Sequence, residues 1–330
     1  MNAERLRKNL ARFRTPSSAR AAGEIAITLF PLAGCWALTF LCAQNLPGLL
    51  VLVWPLTSLF LVRTFLIQHD CGHHGFFPSA RLNDAVGRML GILTFTPYEY
   101  WRRGHAMHHA YSGNLDRRGF WDVPMVTVEE YRALGPFRRW GLRLVRHPVV
   151  LFGFVPFYLF VIQQRLPIGL MRQGWRPWAS ALGTNAMLAA LLTLVVSAFG
   201  LFVTVVAMLP ILAMTASIGV WLFFVQHYFG ASHFRREEHW NFADAALHGS
   251  SLYRLPQPLM WFTANIGIHH IHHLDSRIPY YRLPNAISAY PELEGVGCLP
   301  VLASGFCVSR ILWDESRAGF VTPPLPSGSD

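Results

Sequence analysis

Three short stretches concentrate histidine: HDCGHH at His69–His74, GHAMHH at Gly104–His109 and GIHHIHH at Gly267–His273. Side chains three and four apart share a helix face. His69 with His73, His105 with His108 and His109, and His269 with His272 and His273 all have that spacing. Each box is therefore expected to aim its imidazoles at one point. A further histidine, His227 in FVQHYF, ends a long apolar stretch. Imidazole suits iron, copper, nickel and zinc, whereas thiolate would favour zinc or copper(I). Nine such ligands exceed the roughly four to six that one ion takes. Two metal ions follow from that excess. His74 and His270 stand outside the repeated spacing and are read as extra ligands or as groups supporting ligands or substrate. His147, His233, His239 and His248 have no such spacing and are read as loop or surface residues.

A ligating histidine usually donates its second ring N–H to a carboxylate or carbonyl. Asp70, Asp116, Asp244 and Asp275 lie beside or between the boxes and are candidates for that role. Asn265 is four residues before His269 and is expected to face the same metal and hold a water. Tyr98, Trp101, Trp240, Trp261 and Phe262 lie near the boxes and are candidates to line a channel for an apolar substrate.

The elements that position these groups are membrane spans. Of 330 residues only 14% are charged, against about 25% in an ordinary soluble domain. A span needs about 20 predominantly apolar residues. Residues 25–43, 49–67, 178–198 and 202–224 are read as four, in two hairpins. Arg63, the only charge in the second, lies near its end and is expected to snorkel. The first box would begin two residues beyond that span. Leu151 to Ile162 is apolar but too short to cross and is read as an interfacial or re-entrant helix.

Arginines crowd the N-terminal tail (1–24), the 68–176 segment and the region after Phe234, while the hairpin connections near Gln44–Gly48 and Gly200 carry no charge. The positive-inside rule then places both termini and all the boxes in the cytoplasm. The fold class expected is an all-α, multi-pass integral membrane protein with a cytoplasmic helical cap carrying the boxes. The net charge of +10 accompanies long apolar blocks and no basic groove motif, so nucleic acid is not expected as a partner. Five cysteines without a CxxC pair read as neither a disulfide framework nor a zinc ribbon. The C-terminal TPPLPSGSD reads as disordered.

These motifs, HxxxH, HxxHH and HxxHH around four spans, resemble the membrane fatty acid desaturase family. GNLDRRG (Gly113–Gly119), NFADAALHGSS (Asn241–Ser251) and NIGIHHIHHLDSRIPYYRL (Asn265–Leu283) are similar to bacterial acyl desaturases, as is HDCGHH. The resemblance implies a desaturase domain over 25–283, followed by a cytoplasmic C-terminal segment over 284–330. Carried over residue by residue, it implies metal ligation by His69, His73, His105, His108, His109, His227, His269, His272 and His273. It further implies two iron ions, O2 as co-substrate, and a cis double bond introduced into an acyl-lipid or acyl-thioester. The electron donor is expected to be a separate protein such as ferredoxin with its reductase, and the location a bacterial inner membrane. The same boxes occur in membrane hydroxylases, carotenoid ketolases and alkane monooxygenases, which share the oxidant and differ in product. A non-enzymatic metal-binding membrane protein is the remaining alternative.

Overall fold

The computed structural model describes residues 3–119 and 121–323. Helix α1 (Ala3–Leu10) buries Ala3, Leu6 and Leu10 along one face. Helix α2 (Ser18–Asn45) starts where the Ser17 hydroxyl accepts the Arg20 backbone N–H, and α3 (Leu50–Gly72) follows a single tight turn. Next come α4 (Ala80–Leu93) and α5 (Tyr98–Tyr111), then three short helices, α6 (Val128–Ala133), α7 (Pro136–Arg146) and α8 (Val155–Phe157). Helices α9 (Trp175–Phe199) and α10 (Leu201–His227) are divided by Gly200, whose φ of 79° favours a residue without Cβ. The last helices that bear on the site are α11 (Phe242–His248), α12 (Gln257–Phe262) and α13 (His269–Leu274). Two small sheets join this helical architecture. One has three strands, Val126–Thr127, Leu312–Asp314 and Gly319–Val321; the other pairs Leu252–Arg254 with Cys298–Pro300. The expected disorder of TPPLPSGSD falls mainly on 324–330, outside the described residues.

Among the described residues, four helices are long and apolar enough to cross a membrane: Ser18–Asn45, Pro47–Gly72, Trp175–Phe199 and Leu201–His227. Each is longer than its apolar stretch in the sequence. Hydropathy reads the length that lipid touches, whereas a helix continues wherever protein covers its polar residues. Gln68, His69 and Asp70 are buried in the last turns of α3. The first box therefore begins inside the span helix, not two residues beyond it. The four helices are unequally covered. The apolar window of α3 is 61% buried and that of α9 only 6%, so α3 is the hub and α9 the lipid-facing rim. Hydroxyls join the inner helices: Thr39 Oγ1 lies 3.3 Å from Thr57 Oγ1, and Ser58 donates to the Ile211 carbonyl at 3.3 Å. Residues 150–165 form irregular helical turns bent by 62° from α7, and by length and composition the two together make either a broken span or a re-entrant segment.

Arg63 does not snorkel. It is 1% exposed, with its guanidinium bonded to the Glu24 carboxylate, the Trp261 carbonyl and Thr28 Oγ1, and stacked 4.0 Å from the Trp261 ring centroid. Tyr280 donates to the same Glu24 carboxylate at 3.1 Å. A charge inside the protein is tolerable once its donors are satisfied, and here three chain segments satisfy them. The N-terminal residues also pack inward. Arg14 pairs with Asp275 at 2.6 Å, and the Ser17 N–H donates to Tyr281 Oη at 3.0 Å, fastening the segment before α2 to the stretch after the third box.

Removing one partner of a buried ion pair strands the other, which costs roughly 3–5 kcal/mol. Glu24→Leu and Arg63→Met are each expected to lower stability on that scale. The double change Glu24→Leu with Arg63→Met should cost less than the two single changes added together. Thermal unfolding of detergent-purified protein reads both; additive losses would show the two residues to be uncoupled.

Candidate metal centre

The nine histidines come together, but box by box they do not point as their spacing suggests. Ligand nitrogens of His69, His73, His105, His109 and His272 lie within 4.8 Å of one another. His108, His227 and His273 form a second such group, and His269 Nε2 sits 3.0 Å from His227 Nε2 beside it. Consecutive residues on a helix are about 100° apart. His105 and His109 therefore face one group while His108, on the same α5, faces the other. On α13, His272 turns to the first group and His269 and His273 to the second. The second and third boxes each straddle both groups. Only the first box feeds one group alone, and His227 at the end of α10 feeds the other. The rings interlock: His109 and His273, from different groups, stack at 4.0 Å between centroids.

The donor atoms fit metal ions. His105 Nε2 has His69, His73 and His109 Nε2 atoms at 2.9, 3.0 and 3.0 Å. A neutral imidazole has one N–H and one lone pair, so hydrogen bonding cannot satisfy three such neighbours together. The buried Nε2 atoms of His272 and His273 have no hydrogen-bond partner among the described residues. Lone pairs converging on shared points are what cations complete. Burial, and then repulsion from neighbouring imidazoles, holds His73, His105, His109, His269, His272 and His273 well below the ordinary histidine range. They are neutral at physiological pH, the form that ligates.

Each group has a carboxylate behind it. Asp70 Oδ1 lies 3.2 Å from His69 Nδ1, while its Oδ2 accepts the Tyr280 N–H at 2.6 Å. Asp122 Oδ1 lies 2.7 Å from His108 Nδ1 and is braced by the Gly119 N–H on Oδ2 at 3.1 Å. Sequence reading missed Asp122, because its partner is fourteen residues away across a loop and no helical spacing links them. Ser112 Oγ, 3.5 Å from His227 Nδ1, was missed for the same reason.

Other candidates lie elsewhere. His74 sits 2.8 Å from Asp84 and joins neither group. His270 is buried beside them but also joins neither, and burial pushes its imidazole down to about 4. Asp116 forms a surface pair with Arg236, and Asp244 is exposed in the first turn of α11. Asp275 pairs with Arg14. Asn265 precedes α13 in a turn with φ 55°, so the helical spacing that aimed it at His269 does not exist there. Of the five aromatics, Trp101 meets the centre, stacking on His105 at 4.6 Å. Tyr98 donates to the Cys71 carbonyl and Asp84, and Trp240 to the Ser112 carbonyl. Trp261 lies under Arg63, and Phe262 packs edge-on against Phe60.

Spans ending in two buried imidazole clusters define a helical membrane protein built to hold metal at the ends of its spans. The sequence model of the fatty acid desaturase family matches residues 46–294. A fatty acid desaturase of Bacillus subtilis is 36% identical over 97% of this chain and 90% of its own. An sn-1 acyl-lipid omega-3 desaturase (ferredoxin) of Synechocystis is 29% identical over 85% of this chain and 77% of its own. An sn-1 oleoyl-lipid 12-desaturase of Arthrospira platensis is 25% identical over 75% and 70% respectively. The chain belongs to the fatty acid desaturase family and is an oxidoreductase of the membrane, with iron implied at its histidine clusters.

Replacing a ligand should remove metal, whereas replacing an outlying histidine should not. His105→Ala is expected to lose most bound iron and His74→Ala to retain it, as measured by elemental analysis of purified protein. Asp122→Asn should lower iron affinity by about 10–100-fold, the usual cost of losing a carboxylate behind a ligand. Full iron retention in His105→Ala would remove that residue from the centre.

Proposed function

We propose that this enzyme is an O2-dependent acyl desaturase with two iron ions, one in each histidine group, that introduces a cis double bond into an acyl-lipid or acyl-thioester. The observation that carries this reading is the interleaving of five and four imidazoles on shared helices, with rings from different groups in contact. Bound iron supplies the one-electron and O2 chemistry that breaking an unactivated C–H bond requires and that side chains lack. The protein's own part is positional. Asp70 and Asp122 hold His69 and His108 in orientation by their ring nitrogens. Burial excludes bulk water, and with it side reactions of the oxidant. In balance, two vicinal hydrogens leave the chain and two electrons and two protons are supplied, so that O2 leaves as two waters.

The electrons come from a separate donor of the ferredoxin type, a reading supported by the ferredoxin named in the Synechocystis relative. Both termini and the histidine clusters face the cytoplasm, in a bacterial inner membrane. The arginine distribution supports this, since the α2–α3 and α9–α10 connections are short and uncharged. Residues 25–283 form the catalytic unit.

Reporter fusions after Gln44, Arg103, Gly200 and the C-terminus should report outside, inside, outside and inside in turn. A periplasmic signal at Arg103 would divide the boxes across the membrane and end the shared-centre reading. For the reaction, expression in a bacterium without aerobic desaturases should yield new unsaturated fatty acids only when O2 is present, read by mass spectrometry after double-bond derivatisation. Purified protein should contain two iron ions per chain. Hydroxylated acyl chains, or oxidised carotenoid when one is supplied, would assign the chemistry to a hydroxylase or ketolase instead.

A further inference from the structure

Helix α5 has two differently used faces. His105, His108 and His109 project into the metal centre, whereas Arg102, Arg103 and Ala106 line a separate cavity of 910 Å³. The other walls of that cavity are α4 and the first turns of α9. Its volume lies within the roughly 300–1,000 Å³ of small-molecule sites. The metal centre lies on the other side of α5.

Four arginines and two carboxylates meet in the cavity. Arg88 pairs with Glu99, and Arg102 with Asp84 at 3.1 Å. Among the described residues Arg103 reaches only the Gln173 carbonyl, at 3.4 Å. Arg176 has no hydrogen-bond or ion-pair partner among the described residues. Two guanidinium charges are therefore left without a carboxylate. Guanidinium matches phosphate oxygens with paired donors, and these two stand where α9 enters the apolar layer. Trp175, 73% exposed beside them, is the kind of residue that marks a membrane interface.

Below the arginines the charges end, and the α9 lining is uncharged, with Ser180 and Thr184 beside an apolar stripe. Ala179, Gly183 and Met187 fall on one stripe of α9. A Cβ added at Gly183 would meet nothing within 4 Å. The stripe lies on the helix with only 6% of its apolar window buried, so the groove is open to lipid. An anion-binding head with an apolar groove running along a span has the polarity of an amphiphile. The acidic face of a soluble electron carrier would use the charges but not the groove.

From this arrangement we infer that the cavity binds an anionic membrane glycerophospholipid. Its phosphodiester rests on Arg103 and Arg176, and one acyl chain lies along Ala179, Gly183 and Met187. The site is distinct from the metal centre, and its occupancy does not depend on the reaction proposed above. The test is titration of the detergent-purified, iron-loaded enzyme with fluorescent phosphatidylglycerol. Arg103→Gln with Arg176→Gln should weaken binding on the order of tenfold, the scale of losing charge-assisted hydrogen bonds. Gly183→Leu, which fills the groove, should weaken it also, and both variants should keep their iron. Binding unchanged in the double variant would overturn the site. Full displacement by inorganic phosphate at equal concentration would make it a site for a soluble anion and overturn the lipid. Unchanged lipid binding with slowed reduction by an acidic ferredoxin would make it a donor-docking surface, overturning the proposal in that direction.

Discussion

Nine imidazoles can share a water-poor space only if their lone pairs meet something other than one another. That requirement drives the architecture. No single helix turn presents nine rings to two points, so segments distant in sequence must deliver them. Ends of two spans, α3 and α10, and two short elements, α5 and α13, contribute. The remaining structure keeps those four elements in register.

Register is held largely by polar contacts placed where they cannot be exchanged for water. Arg63 ties α2, α3, the end of α12 and Tyr280 into one knot. Asp70 joins the first box to the segment after the third, through the Tyr280 backbone. Arg14 ties the N-terminal segment to Asp275, directly behind α13. These contacts converge on the stretch 275–281. That is a physical reason for the charged and tyrosine residues just after the last histidine box: they fasten the helix that serves both metal groups. In an apolar surrounding such bonds have few competitors, and a partner left alone is costly.

Segregation by polarity organises the outside in the same way. The central α3 is largely enclosed by protein, while α9 spends its surface on lipid. α5 lies between the centre and that rim. One side of it carries ligands, the other arginines, and Trp101 packs against His105 next to Arg102. A single two-faced helix thus separates the histidine-lined interior from an arginine-lined groove beside α9.

The sequence alone determined the class of structure and pointed to histidine as the metal-ligating residue. Apolar length is a one-dimensional property, so four spans could be read directly, and histidine in repeated pairs marks ligation whatever the fold. Its reach ended where direction in space decides. His108 and His109, three and four residues after His105, count as one face on paper, yet a rotation of about 100° sends them to different groups. Arg63 looked like a span-end charge until Glu24, thirty-nine residues earlier, was found against it. Asp116 is the candidate that the sequence offers beside the second box, and Asp122 was missed. Only the folding back of the loop brings Asp122 to His108 and leaves Asp116 on the surface with Arg236. Partner choice among polar groups depends on distances of a few ångströms between remote segments, and those distances exist only once the chain has packed.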